Sequence, residues 1–138
     1  MAANTAPIFS LSANVDWGIT ILAANTTTDL TAGTSYLVWT ANATNGGKLD
    51  RLKIRSLGTN VATVMRVWLN NGLTTATAAN NTLFHEITMA ATTVSQTAAQ
   101  VDTDYGINIS LDPGFRVYVT LGSAVAAGFD VTGVGGNY

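Results

Sequence analysis

The chain is expected to fold as all-β: an antiparallel β-sandwich, jelly-roll-like, of eight to nine strands. Three observations carry that expectation. Short runs alternate apolar and polar residues, the period of a half-buried strand. Those runs are rich in Thr, Val, Tyr, Trp and Ile, which suit a pleated surface with one face in a core. Turn signals recur roughly every 10–15 residues, while no stretch shows a capped 3.6-residue period.

The elements follow in order. Residues 6–11 (APIFSL) and 17–22 (WGITIL) read as two early strands, and 34–41 (TSYLVWTA) as a third. Asn45-Gly46 then signals a tight turn, and 48–57 (KLDRLKIRSL) follows, so 34–57 is expected to form a hairpin. In 61–70 (VATVMRVWLN), Val61, Thr63, Met65, Val67 and Leu69 share one face, with Val64, Arg66 and Trp68 on the other. Asn71-Gly72 breaks that strand, and 73–81 (LTTATAANN) reads as a small, polar loop. Residues 82–89 (TLFHEITM) form the next strand, and 90–104, short of bulky apolar residues, is expected to be a long crossover between sheets. Ile107, Ile109 and Leu111 align in 105–111; Asp112-Pro113-Gly114 then has type II turn chemistry. Phe115, Val117, Val119 and Leu121 align in 115–121. A last strand is expected at 128–134, followed by a Gly-Gly-Asn-Tyr tail. There is no internal repeat or composition shift, so one domain is expected over 1–138, with 1–7 as a flexible N-terminal arm.

Composition narrows the function. Charged residues are 10% of the chain, against about 25% in an average protein. The polar surface is instead neutral, with 22 Thr and 12 Asn. Cysteine is absent and His85 is the one histidine, which excludes disulfide scaffolds, thiol catalysis and multi-His metal sites. A net charge of −2 argues against nucleic acid as a partner. The N-terminus lacks the basic and apolar regions of a signal peptide, and no apolar run is long enough for a membrane span, so no membrane partner is expected.

No residue constellation points to catalysis, a cofactor or a metal. By alternation His85 shares the apolar face of Leu83, Ile87 and Met89, which reads as a partly buried core or interface histidine rather than a general base. Glu86 points the other way and reads as a surface or subunit-contact charge. Asp102 and Asp104 lack the further oxygen ligands of a calcium loop and read as solvated. Gly133, Gly135 and Gly136 precede no helix, so they do not make a phosphate loop. The scattered Trp17, Trp39 and Trp68 read as packing residues, with a sugar-stacking platform as the alternative.

The basic residues are the most organised feature. Lys48, Arg51, Lys53 and Arg55 lie in one strand, with Arg51, Lys53 and Arg55 on one face; a neighbouring strand adds Arg66 beside Trp68. This stripe reads either as charges that resist edge pairing or as a contact toward an acidic protein surface or sister subunit. Arg51, Lys53, Arg55, Arg66 and Trp68 are the candidate protein-contact residues.

Three stretches carry a resemblance: TTTDLTAGTSYLVWTA at 26–41, GGKLDRLKIRSLGTNVATVMRVWLNNG at 46–72, and LDPGFRVYVTLGSAVAAGFDVTGVGGNY at 111–138. Together they resemble a family of small tailed-bacteriophage virion proteins, similar to capsid decoration (cement) proteins. The most recognisable parts are LGTN at 57–60, the Asn-Asn-Gly that ends the next strand, the Pro-Gly turn and the closing Gly-Gly-Asn-Tyr. The resemblance implies a non-enzymatic sandwich, frequently trimeric, bound to the major capsid protein on the capsid exterior after synthesis in the host cytoplasm. Other proteins of this make-up are tail, neck or fibre parts, so a receptor- or glycan-recognising tail, fibre or adhesin module is the alternative.

Overall fold

Strands that are apolar on one face must bury that face, and a second sheet of the same kind is the usual cover. The computed structural model of the chain, which describes residues 9–100 and 102–138, forms such a pair of sheets. Among the described residues the strands are β1 (Ser12–Val15), β2 (Ile19–Ile21), β3 (Tyr36–Thr40), β4 (Gly47–Ser56), β5 (Thr63–Asn70), β6 (Asn81–Met89), β7 (Asp102–Leu111), β8 (Arg116–Leu121) and β9 (Phe129–Asn137). A 3-10 turn at Ala78–Asn80 leads into β6.

The pairing is nested. β1 and β2 pair with β9, β3 with β8, β4 with β7 and β5 with β6, all antiparallel. A single long ribbon with its tip at β5–β6 is thus rolled up, and the β4–β9 and β5–β8 pairings close the roll. One sheet runs β1–β9–β4–β7, with β2 also on β9; the other runs β3–β8–β5–β6. This is jelly-roll connectivity. The expected fold class is therefore the observed one.

Between the sheets lie Trp39, Leu49, Leu52, Ile54, Met65, Val67, Val117, Val119, Leu121, Phe129 and Val131, all essentially inaccessible. Each such aliphatic side chain contributes about 1.5–3 kcal/mol by leaving water. At the β1–β3 side the two sheets are also tied by polar contacts. Trp39 Nε1 donates to the Asn14 carbonyl at 3.1 Å, and Asn14 Nδ2 donates to the Thr40 carbonyl at 2.8 Å.

Several expectations change. The first strand is β1 at Ser12–Val15, with 9–11 outside any strand, while residues 6–8, like the 1–7 arm, lie outside the described residues; of 17–22 only Ile19–Ile21 is strand. Residues 34–57 are not a hairpin. Asn45-Gly46 does make a tight turn, with Asn42 Oδ1 accepting the Thr44 and Asn45 N–H groups and Gly46 at φ +77°. It joins β3 in one sheet to β4 in the other, because the turn dipeptide specifies a reversal and not the partner. The Asp112-Pro113-Gly114 turn is likewise a corner, from β7 to β8 across the sheets, closed by Phe115 N–H to the Asp112 carbonyl at 3.1 Å.

The closing glycines are not a tail. Gly133, Gly135 and Gly136 lie inside β9, between β1 and β4. A Cβ at Gly133 would sit 2.9 Å from Trp39 Cδ1, and one at Gly135 2.2 Å from the Lys48 carbonyl oxygen. Glycine is needed there for close packing rather than for mobility.

β7 begins at Asp102 rather than 105, so the crossover is shorter than 90–104. In β6 His85 keeps the face of Ile87 and Met89, but Leu83 does not share it. Val67 faces His85 but Trp68 faces Leu83, so Phe84 is an extra residue in β6 and Leu83 is thrown to the opposite face from His85. His85 is exposed at the open edge between β6 and β7, where its Nε2 and the Tyr105 hydroxyl hydrogen-bond.

Candidate functional site

The two outer faces of the sandwich differ. Across the β3–β8–β5–β6 sheet runs the connection from β2 to β3. It is pinned by Asn25 N–H to the Leu121 carbonyl (2.7 Å), by Arg66 Nη1 to the Asn25 carbonyl (3.3 Å), and by Asn81 Nδ2 to the Asp29 carbonyl (3.0 Å). Leu30 in this crossing is buried, and its φ of +63° is a strained conformation for a leucine. Trp68, which points outward from β5, is only 1% exposed, and its Nε1 donates to Thr120 Oγ1 at 3.0 Å.

Trp68 is therefore unavailable as a contact residue. It is buried outside the inter-sheet core, as is Leu30 of the β2–β3 crossing, a segment that lies far from it in sequence and that strand alternation does not reveal. Arg66 sits on the same sheet. It bonds Glu86 Oε1 through Nε at 2.9 Å as well as the Asn25 carbonyl, so it is separated from the β4 cations by the thickness of the sandwich.

The β1–β9–β4–β7 sheet carries the other three candidates, Arg51, Lys53 and Arg55, on its outer face, since Leu52 and Ile54 between them are core residues. An irregularity at Asp50 adds Lys48 to that face: Leu49 is opposite Gly135, but Arg51 is opposite Val134. The stripe is not a bare positive field. Arg51 pairs with Asp104 (3.4 Å), Lys53 with Asp102 (3.0 Å) and Lys48 with Asp50 (3.2 Å). Asp130 of β9 lies directly across from Arg55. Four cations thus alternate with four carboxylates over three strands. These exposed pairs each add at most about 1 kcal/mol to stability. They make a face with both signs of charge and little net field.

At the β1 edge of this face is the feature that sequence reasoning missed. Val15 is opposite Val134 and Ile19 is opposite Val131, so three residues, 16–18, span two on β9. That bulge swings Trp17 out of the alternation that would align it with Ile19 and Ile21. Trp17 is 97% exposed, and neighbouring Val15 is 57% exposed. A shallow groove of about 340 Å³ lies beside it, lined by Val15, Asp16, Trp17, Gly18, Asp130 and Thr132. Burial raises the Asp16 carboxyl above its ordinary value, an effect partly offset by a hydrogen bond from the Thr40 backbone. The signal in the sequence was present but ambiguous: Asp-Trp-Gly between two short strands marks a break, yet does not say which way the indole turns.

The remaining candidates are occupied by structure. Asp102 and Asp104 hold Lys53 and Arg51, and among the described residues no group of three His, Cys, Asp or Glu side chains could hold a metal ion. Tyr36 accepts the Ala23 N–H at 3.0 Å, and Tyr138 bonds Ser110 through their hydroxyls at 2.7 Å. The tryptophans form no cluster: Trp39 and Trp68 are buried and Trp17 stands alone. Among the described residues no helix is long and apolar enough to cross a membrane. Comparison of the chain with family models, with curated proteins and with solved structures finds no match in any of the three.

Proposed function

We propose that this protein is a non-enzymatic decoration (cement) protein of a tailed-bacteriophage virion, binding the outer surface of the major capsid shell as a homotrimer. The observation that carries the reading is the outer face of the β1–β9–β4–β7 sheet, which no described segment crosses and which carries alternating ions at its centre. Arginine is among the side chains that most often dominate protein contacts, and a surrounding surface of Thr, Asn and Ala orders with little loss of side-chain entropy. The jelly roll and the sequence resemblance support the same reading.

The mechanism is bridging. A copy that binds only assembled neighbours favours the assembled shell by mass action. Three linked copies convert weak single contacts into a firm attachment. Of the original stripe, Arg51, Lys53 and Arg55 remain on the proposed contact face, while Arg66 and Trp68 do not belong to it.

Two measurements test this. Cryo-electron microscopy of particles from the source lysate is expected to show trimeric density on the capsid exterior; density at the tail tip instead would favour the receptor-binding alternative. A folded variant with Arg51, Lys53 and Arg55 all changed to Ala is expected to lose occupancy on shells stripped of the wild-type protein. Full occupancy would remove this face from the contact.

A further inference from the structure

We infer that the groove beside Trp17 is a carbohydrate-binding site. A pyranose ring stacks its C–H face on the Trp17 indole, and its hydroxyls bond the Asp130 carboxylate and the Thr132 hydroxyl. This inference does not rest on the assignment to a capsid; it would hold for the same fold anywhere on a particle or cell surface.

The first support is Trp17 itself. The chain buries its two other tryptophans almost completely, yet the bulge at 16–18 presents this indole to water at 97% exposure. An exposed apolar plane with a polar N–H edge suits a ligand that is apolar on one face and polar at its rim. The second is the lining. Asp130 and Thr132 project from consecutive outward positions of β9, a strand held on both sides, so their spacing is rigid. Across from Asp130 stands Arg55, and among the described residues neither is engaged in an ion pair.

The third support is charge. The charged lining of the groove is two carboxylates, Asp16 and Asp130, which repel an acidic ligand. A neutral polyol uses them, with the Thr132 hydroxyl, as hydrogen-bond acceptors for its own hydroxyls. The groove, about 340 Å³, sits at the small end of ligand sites, which run roughly 300–1,000 Å³, and suits one or two sugar rings rather than a folded segment.

The test is a glycan array of bacterial polysaccharides and oligosaccharides, probed with the full chain, with Trp17→Ala and with Asp130→Asn. Wild type is expected to bind at least one saccharide, Trp17→Ala to lose at least tenfold in affinity, and Asp130→Asn to weaken it. The substitution of an exposed side chain leaves the fold intact, which an unchanged thermal midpoint verifies. With Trp39 and Trp68 buried, iodide quenching of fluorescence reports on Trp17, and the bound oligosaccharide is expected to shield it. The inference is overturned if no saccharide binds more tightly than about 1 mM, or if binding survives Trp17→Ala. If wild type binds no saccharide but Trp17→Ala detaches the protein from capsids, the groove is a protein anchor: the carbohydrate inference falls and the decoration reading stands.

Discussion

Replacing Asn60 with alanine should cost far more than its small size suggests. Asn60 is 3% exposed and ties the end of β4 to the turn before β9. Its Nδ2 donates to Ser56 Oγ at 3.0 Å and to the Gly128 carbonyl at 2.9 Å; its Oδ1 accepts the Ala127 N–H at 2.8 Å and the Gly128 N–H at 2.9 Å. Alanine leaves the Ala127 and Gly128 N–H groups without their acceptor, whereas the Gly128 carbonyl keeps the Leu57 N–H at 3.0 Å and Ser56 keeps Thr92 and the Gly58 carbonyl. A buried group left unpaired costs roughly 1–3 kcal/mol; with water entering the vacated space, the sum is about 3–4 kcal/mol. For a domain of this size each kcal/mol moves the thermal midpoint by about 3–5 °C, so a fall of about 10–15 °C is expected.

Urea unfolding followed by tryptophan fluorescence, with calorimetry at one fixed protein concentration, measures this cleanly, since association shifts apparent stability. Leu57→Ala, at an exposed neighbour in the same segment, is the control and should change stability by no more than about 0.5 kcal/mol. A loss below about 1 kcal/mol for Asn60→Ala would refute the reasoning, because it would mean that these backbone groups find other partners.

Three further outcomes are expected. Thr120→Val leaves the Trp68 indole N–H buried without its acceptor and should cost about 1–3 kcal/mol in urea unfolding; an unchanged midpoint would count against a sealed indole. Gly114→Ala places a Cβ in open space at φ +75° and should cost only the left-handed strain, about 1–2 kcal/mol. Gly46→Ala, at φ +77°, puts its Cβ 2.4 Å from the Leu111 carbonyl oxygen and should cost clearly more; equal losses would refute the collision. For Asp16, burial raises the folded-state pKa, so the folded chain holds the proton more tightly than the unfolded chain does. That contribution is full below the ordinary value of 3.8 and is lost as pH rises through the raised value. Asp16→Asn should therefore be more stable than wild type at about pH 7, with the advantage gone by about pH 3; an advantage that grows on acidification would overturn the assignment.

Strand positions were legible because alternation is local. In β4, Leu52 and Ile54 face the core and Arg51, Lys53 and Arg55 face water, as their spacing implies. Val117, Val119 and Leu121 behave the same way in β8. The failures sit where the period slips. Phe84 in β6, Asp50 in β4 and the 16–18 bulge each insert a residue, and one residue sends every later side chain to the other face. The corner at 42–46 looked like a hairpin turn, and the turn at 112–115 joins the two sheets as well, because turn chemistry reverses the chain without choosing the sheet.

The candidate contact residues divide along the same line. A sandwich of short strands, its turns and a surface with few charges follow from residue type and nearest-neighbour spacing. Which surface stays open depends on how distant segments pack. The β2–β3 crossing covers one sheet, on which Trp68 is buried, while nothing in the chain's described part crosses the other, so the β4 cations meet the carboxylates of β7 and Trp17 stands in water. Both facts come from segments distant in the chain that pack together, and no local pattern records that packing.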